Sequence, residues 1–299
     1  MQEKRRKRNR SREVSLFVFT ALVILASSPG ARAAGDTSAE EVTFTNGEVA
    51  LSGTLTLPST GGPHPAVFLI GGSGPQDRDG AMRVIPGYRP FALIAEHLTR
   101  NGFAVLSYDE RGVGKSTGNY GAATEPDFIK DAEAALQYLL SRRDIAAKRV
   151  GVLGHSEGAM IAAIVAGKSP QVAFVISLGG GAVHGRSLLL RQAERQAEAA
   201  GMSKEQVARV LQEQRRIFDL VLAKKWEELR SAVEETTLSR LKALPEERTA
   251  ALGDLNAVAS RKAAASVHTF QHPRYQFLLG HDFGEDWAKV SVPVLALFG

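Results

Sequence analysis

The segment Gly154-His155-Ser156-Glu157-Gly158 constrains the fold of this chain more than any other. The apolar run Arg149-Val150-Gly151-Val152-Leu153 leads into it, and the helix-like stretch Ala159-Met160-Ile161-Ala162-Ala163-Ile164-Val165-Ala166 leads out. A strand that turns straight into a helix leaves little room beside the turn, so the flanking positions must be small. The serine is then held out above the end of the sheet, at the N-terminus of the next helix. Negative charge is favoured there, because free N–H groups and the helix dipole face it. A serine so placed is a nucleophile elbow, a turn that presupposes a sheet with helices following its strands.

The rest of the pattern agrees. Val42-Thr43-Phe44-Thr45 and residues 49–57 alternate in polarity around Asn46-Gly47, which predicts a hairpin. Ala66-Val67-Phe68-Leu69-Ile70, Ala104-Val105-Leu106-Ser107-Tyr108, residues 172–178 and residues 292–298 are continuous apolar runs, as expected for buried strands. Residues 91–100 have helical spacing, and residues 128–140 form an amphipathic helix with Ile129, Ala132, Ala135, Leu136 and Leu139 on one face. Alternating strands and helices imply an α/β fold with a mostly parallel sheet covered on both faces, its site beyond the carboxyl ends of the strands. Between about residues 186 and 261 the chain becomes helical and highly charged, and we expect an inserted helical lid spanning about 186–285.

Charge excludes one class of partner. Of 37 Lys and Arg and 32 Asp and Glu, eight and two fall in the first 33 residues; the other 29 basic and 30 acidic residues nearly cancel. No general attraction to nucleic acid remains. The first 33 residues read as a signal peptide: a basic stretch to Arg12, an apolar stretch over 14–26, then Ala31-Arg32-Ala33 as a cleavage pattern. The apolar stretch is shorter than the ~20 residues of a membrane span, so we expect an exported, periplasmic or secreted protein with no membrane contact after cleavage; an uncleaved anchor is the alternative. Residues 34–40 read as a linker. The chain has no cysteine, so an exported form must rest on its core rather than on disulfides.

Acyl transfer needs a nucleophile, a base, an orienting acid and donors for the oxyanion. Ser156 is the candidate nucleophile. The N–H of Glu157 is one candidate oxyanion donor, and the loop Gly71-Gly72-Ser73-Gly74-Pro75-Gln76-Asp77-Arg78-Asp79 is expected to give the second, from Ser73 first and Gly72 next. That loop, together with Tyr108-Asp109-Glu110-Arg111-Gly112-Val113-Gly114-Lys115-Ser116, the elbow, Pro273-Arg274-Tyr275-Gln276-Phe277-Leu278 and Val292-Pro293-Val294-Leu295-Ala296, resembles bacterial α/β-hydrolase esterases of the serine-aminopeptidase-like, Hydrolase_4-type group. The resemblance spans residues 42–299 and is weakest through the lid. It implies an α/β-hydrolase domain over 41–299, hydrolysis of small and often short-chain carboxylic esters, and structural ion pairs from Asp77, Arg78, Asp79, Asp109 and Arg111.

The triad of this fold runs Ser, acid, His along the chain, and no residue up to Gly299 matches the acid or the histidine. His268, His272 and His281 precede the late strand and are poor substitutes. We therefore expect a chain truncated before its last strand and helix, with little activity of its own and a sheet edge prone to association. No histidine has metal-ligand spacing, and no metal or cofactor is implied. The expected partner is a small-molecule ester, and the pattern fixes no oligomeric state. A serine peptidase on the same fold, or a catalytically dead binding protein if the natural chain stops at Gly299, are the rival readings.

Overall fold

The computed structural model describes residues 37–59, 61–81, 85 and 87–298; the signal peptide expected over 1–33 lies outside them. Seven strands form one sheet: β1 (Thr37–Asn46), β2 (Val49–Pro58), β3 (His64–Ile70), β4 (Ala104–Tyr108), β5 (Ile145–His155), β6 (Val175–Leu178) and β7 (Val294–Leu297). Their order is β1-β2-β4-β3-β5-β6-β7. The β1–β2 hairpin is antiparallel and β2 pairs antiparallel with β4, while β3, β4, β5, β6 and β7 run parallel.

Alternate residues of the central strands supply two cores, as the period of two requires. Ala66, Phe68, Ile70, Leu106, Val150 and Val152 pack against α2 (Glu125–Ser141) and α3 (Glu157–Lys168). Val67, Leu69, Val105 and Leu153 pack against Phe91 and Ala95 of α1 (Pro90–Arg100). The predicted face of α2 is the buried one: Ile129, Ala132, Ala135, Leu136 and Leu139 all lie in the core. Thr124 and Asp127 close the start of that helix as a capping box. Every residue of α3 from Glu157 to Ala166 is buried, which explains its lack of a polar stripe.

Two local expectations are corrected. Residues 37–40, read as linker, belong to β1, where Thr37 to Glu40 pair with Pro58 to Leu55. Ladder pairing with β2 overrides their polar composition, and Glu40 is further tied to Arg142. Of residues 292–298, read as a buried strand, only Val294–Leu297 are strand, and they are exposed. Leu295 is 54% and Phe298 73% exposed, because among the described residues β7 pairs only with β6.

After β6 the chain is helical through α4 (Gly185–Ala199), α5 (Lys204–Leu222), α6 (Trp226–Lys242), α7 (Glu246–Leu252), α8 (Leu255–Gln271), α9 (Pro273–Gly280) and α10 (Phe283–Trp287). These helices have a core of their own around Phe218, Val221, Leu229 and Leu279. The return to the sheet is pinned: Phe283 enters the main core, and Trp287 Nε1 donates to the Gly181 carbonyl at 3.0 Å.

Candidate active site

Ser156 stands between the end of β5 and the start of α3 with φ 54° and ψ −115°, a conformation L-residues seldom adopt. Its surroundings impose it. The Ser156 N–H donates to Leu178 O at 2.8 Å. A Cβ added at Gly154 would lie 2.2 Å from Gly158 O, and one added at Gly158 would lie 2.2 Å from Gly71 O. Strand, turn and the loop after β3 therefore touch through main chain alone, and only glycine fits. Ser156 is half-buried, at the mouth of the turn.

The loop after β3 crosses directly over the elbow. A Cβ at Gly72 would be 3.3 Å from Ser156 Cβ and 3.0 Å from His155 Nδ1. Gly72 is buried and Ser73 exposed. Opposite them Glu157 opens α3, so its N–H has no acceptor within the helix. The structure thus brings Ser156, Glu157 and Gly72 together, with Ser73 next along the same loop.

The charged residues of the two loops knit them to each other. Arg78 Nε and Nη2 donate to the two carboxylate oxygens of Asp109 at 3.1 and 2.9 Å, and Arg78 N–H donates to the same group at 2.9 Å. Burial opposes ionisation of Asp109, yet Arg78 and the Lys115 N–H hold its pKa below the ordinary value. Arg111 forms a fork on Asp131 at 2.6 and 2.7 Å. Asp77 accepts from the N–H groups of Asp79 and Ala81, and Asp79 pairs with Arg89. Residues 114–118 also read Gly-x-Ser-x-Gly, but there Ser116 Oγ donates to Asp109 O at 2.6 Å and accepts from Ser52 N. That serine is buried loop structure.

Beneath the loop after β3 lies a cluster that no sequence pattern announced. Arg274, in the first turn of α9, donates from Nε and Nη2 to Glu157 at 3.2 and 2.7 Å and from Nη1 to the Tyr120 hydroxyl at 2.6 Å. Its guanidinium lies over Phe128, 4.3 Å from the ring centroid. Glu125 Oε2 is 3.4 Å from Arg274 Nε, but is buried without a hydrogen bond of its own. Glu110 accepts from Gln76 N–H at 2.8 Å. Glu110, Glu125 and Glu157 are all at most 8% exposed. Burial, chiefly, pushes Glu110 up to about 8; burial and then the negative charge of Glu157 push Glu125 up to about 8. A void of about 10 Å³, near the size of one water, remains between Glu110, Glu157, Phe128 and Arg274.

Among the described residues no side chain is hydrogen-bonded to Ser156 Oγ, and the three late histidines are engaged elsewhere or exposed. His272 caps α9, accepting from Arg274 N at 3.2 Å. His281 Nε2 contacts Asp286 at 2.5 Å, beside Gly167 at the far end of α3, roughly 16 Å along the helix from Ser156. His268 is exposed on α8.

Comparison with known proteins gives a family. A model described as "Serine aminopeptidase, S33" (Hydrolase_4) matches residues 86–235, half of the chain, including the elbow. Esterase EstD of Thermotoga maritima is 39% identical over 119 residues, 40% of this chain and 28% of EstD. An uncharacterized protein of Mycobacterium tuberculosis is 32% identical over 126 residues, 42% of this chain and 40% of its own. The chain therefore spans well under half the length of these curated relatives. Among solved structures, Pyrococcus furiosus esterase Pf2001 superposes with a TM-score of 0.42 at 23% identity, covering 58% of this chain and 62% of that one.

Proposed function

The chain belongs to the serine aminopeptidase (S33) family of α/β-hydrolases, and from that premise we propose that it is a serine hydrolase of small carboxylic esters. The observation that carries this reading is the strained, half-buried placement of Ser156 between Gly72 and the first residue of α3. In the reaction proposed, Ser156 Oγ attacks the acyl carbon and the carbonyl oxygen becomes an oxyanion. The N–H groups of Glu157 and of Ser73 or Gly72 stabilise it, aided by the α3 dipole. Collapse expels the alcohol and leaves an ester on Ser156, which water then hydrolyses.

Each step needs one group that takes the proton from the attacking oxygen, of Ser156 or of water, and returns it to the leaving oxygen, of the alcohol or of Ser156. In this fold it is a histidine held by an acid, following the nucleophile along the chain in the order acid, histidine. The similarity to EstD supports an ester as substrate. The acidic, aromatic cluster under the loop gives no free seat for a peptide amine. An amino-terminal peptide needs a carboxylate to receive its ammonium group, and Arg274 already fills the seat between Glu125 and Glu157.

The test is turnover of paired p-nitrophenyl acetate and aminoacyl p-nitroanilide by wild type and Ser156→Ala, made in a full-length protein that carries the acid and the histidine. Ester cleavage that drops by several orders of magnitude in the variant is expected. Equal turnover in both proteins sinks the serine mechanism, and preference for the anilide moves the chain to the peptidases.

A further inference from the structure

Four segments far apart in sequence meet in the cluster below the oxyanion loop, and only one of them comes from the helical region after β6. Glu110 follows β4, Glu125 opens α2, Glu157 opens α3, and Arg274 arrives from α9. The geometry points to Arg274 as a positioning residue of the hydrolytic site: it clamps Glu157, and with it the main-chain N–H that follows Ser156, so that a formed oxyanion hole requires α9 to be seated. This rests on the serine-hydrolase reading of Ser156.

The argument is one of geometry and charge. The Arg274 fork holds both oxygens of Glu157, and the Glu157 side chain hangs from the residue whose N–H is the oxyanion donor. A planar guanidinium can grip a carboxylate at two points while stacking on Phe128 and bonding the Tyr120 hydroxyl; an ammonium cannot do all three. Glu125 Oε2, buried and without a hydrogen bond, looks onto the same cation at 3.4 Å. Without Arg274, the buried Glu157 carboxylate faces Glu110 across the small void, with Glu125 beside it, and has no cation against it. Protonation or entry of water must follow, and the first turn of α3 is what moves. Because Gly158 is wedged against Gly71 O, movement there is passed to the loop that carries Gly72 and Ser73. A purely structural clamp lowers stability alone; a positioning residue also lowers kcat while leaving KM nearly unchanged.

The experiment compares the full chain with Arg274→Ala, Arg274→Lys and Ser156→Ala by two readouts: hydrogen exchange of amides 156–160, and hydrolysis of p-nitrophenyl acetate. Arg274→Ala is expected to speed elbow exchange and to lower kcat by roughly ten- to a hundredfold with little change in KM. Millimolar guanidinium chloride refills the vacated seat and restores both, whereas sodium chloride does not. Arg274→Lys, its seat occupied, gains nothing from guanidinium. Elbow exchange in Arg274→Ala that equals wild type, or that ignores guanidinium, overturns the proposal. Should Arg274→Ala fold only when guanidinium is present, the seat is upheld and Arg274→Lys carries the kinetic comparison, expected to show the same kcat loss. An elbow that responds to guanidinium while wild-type turnover equals that of Ser156→Ala upholds the clamp and overturns the serine-hydrolase reading.

Discussion

At the scale of single residues, Ser156 stores strain. Its φ of 54° with ψ of −115° is open to glycine and costs other residues on the order of 1–3 kcal/mol. Ser156→Gly should therefore abolish ester turnover yet stabilise the fold. After the extra chain entropy of glycine, the net gain is about 1 kcal/mol, or about 2–4 °C in Tm. Calorimetry of the two proteins checks this, and a lower midpoint for the glycine variant would show that the turn carries no strain. The placement of Ser156 at the strand-to-helix turn, with Glu157 opening the helix, was legible in the sequence because everything that defines it lies within a dozen consecutive residues. The pattern alone was not sufficient, since Ser116 sits in the same five-residue motif and is buried loop structure; what separates the two is the strand before and the helix after. Arg274 was written in the sequence only as part of a family-like segment. Its partners stand at 120, 125, 128 and 157, and no spacing rule connects positions brought together by different elements.

At the scale of elements, the oxyanion loop is held in place by Arg78 reaching the loop after β4. The side chains of Arg78 and Asp109 are 14% and 5% exposed, so removing the arginine strands a nearly buried carboxylate. Arg78→Ala should cost about 3–5 kcal/mol, read as a fall in the urea midpoint with m unchanged; a loss below 1 kcal/mol would show that the pair is solvent-screened. Asp109 has a depressed pKa, so its contribution is present above its ordinary value of 3.8 and is lost as pH falls through the lower, folded value. The strands and helices of the sheet were legible in order and type, and β4 and the buried face of α2 residue for residue, because period and apolarity are local. Two features were not. The polar residues 37–40 become strand because β2 offers them a ladder, and an apolar run such as β7 carries no information about whether a neighbour covers it.

At the scale of the whole molecule, the buried carboxyls tie stability to pH in the direction opposite to Asp109. Glu110 and Glu125 hold their protons to about 8, against an ordinary 4.5. Above 4.5 the unfolded chain releases protons that the folded chain keeps, so this contribution is complete below 4.5 and is lost as pH rises through about 8. The Tm should fall between about pH 5 and about pH 8, and Glu125→Gln, which cannot ionise, should flatten part of that slope. Parallel slopes in the two proteins would remove Glu125 from the account. The helices after β6 were legible as a helical, charged region, while their seating on the elbow through one cation was not. The glycine contacts around position 156 also shape how descendants of this chain can change. Gly154, Gly158 and Gly71 meet through main chain with no side chain between them, so one added carbon at Gly154 or Gly158 closes the turn. The Ser156 side chain itself lies outside that junction. A single codon can exchange it without disturbing the turn, so a lineage built on this sheet inherits a location more firmly than it inherits a reaction.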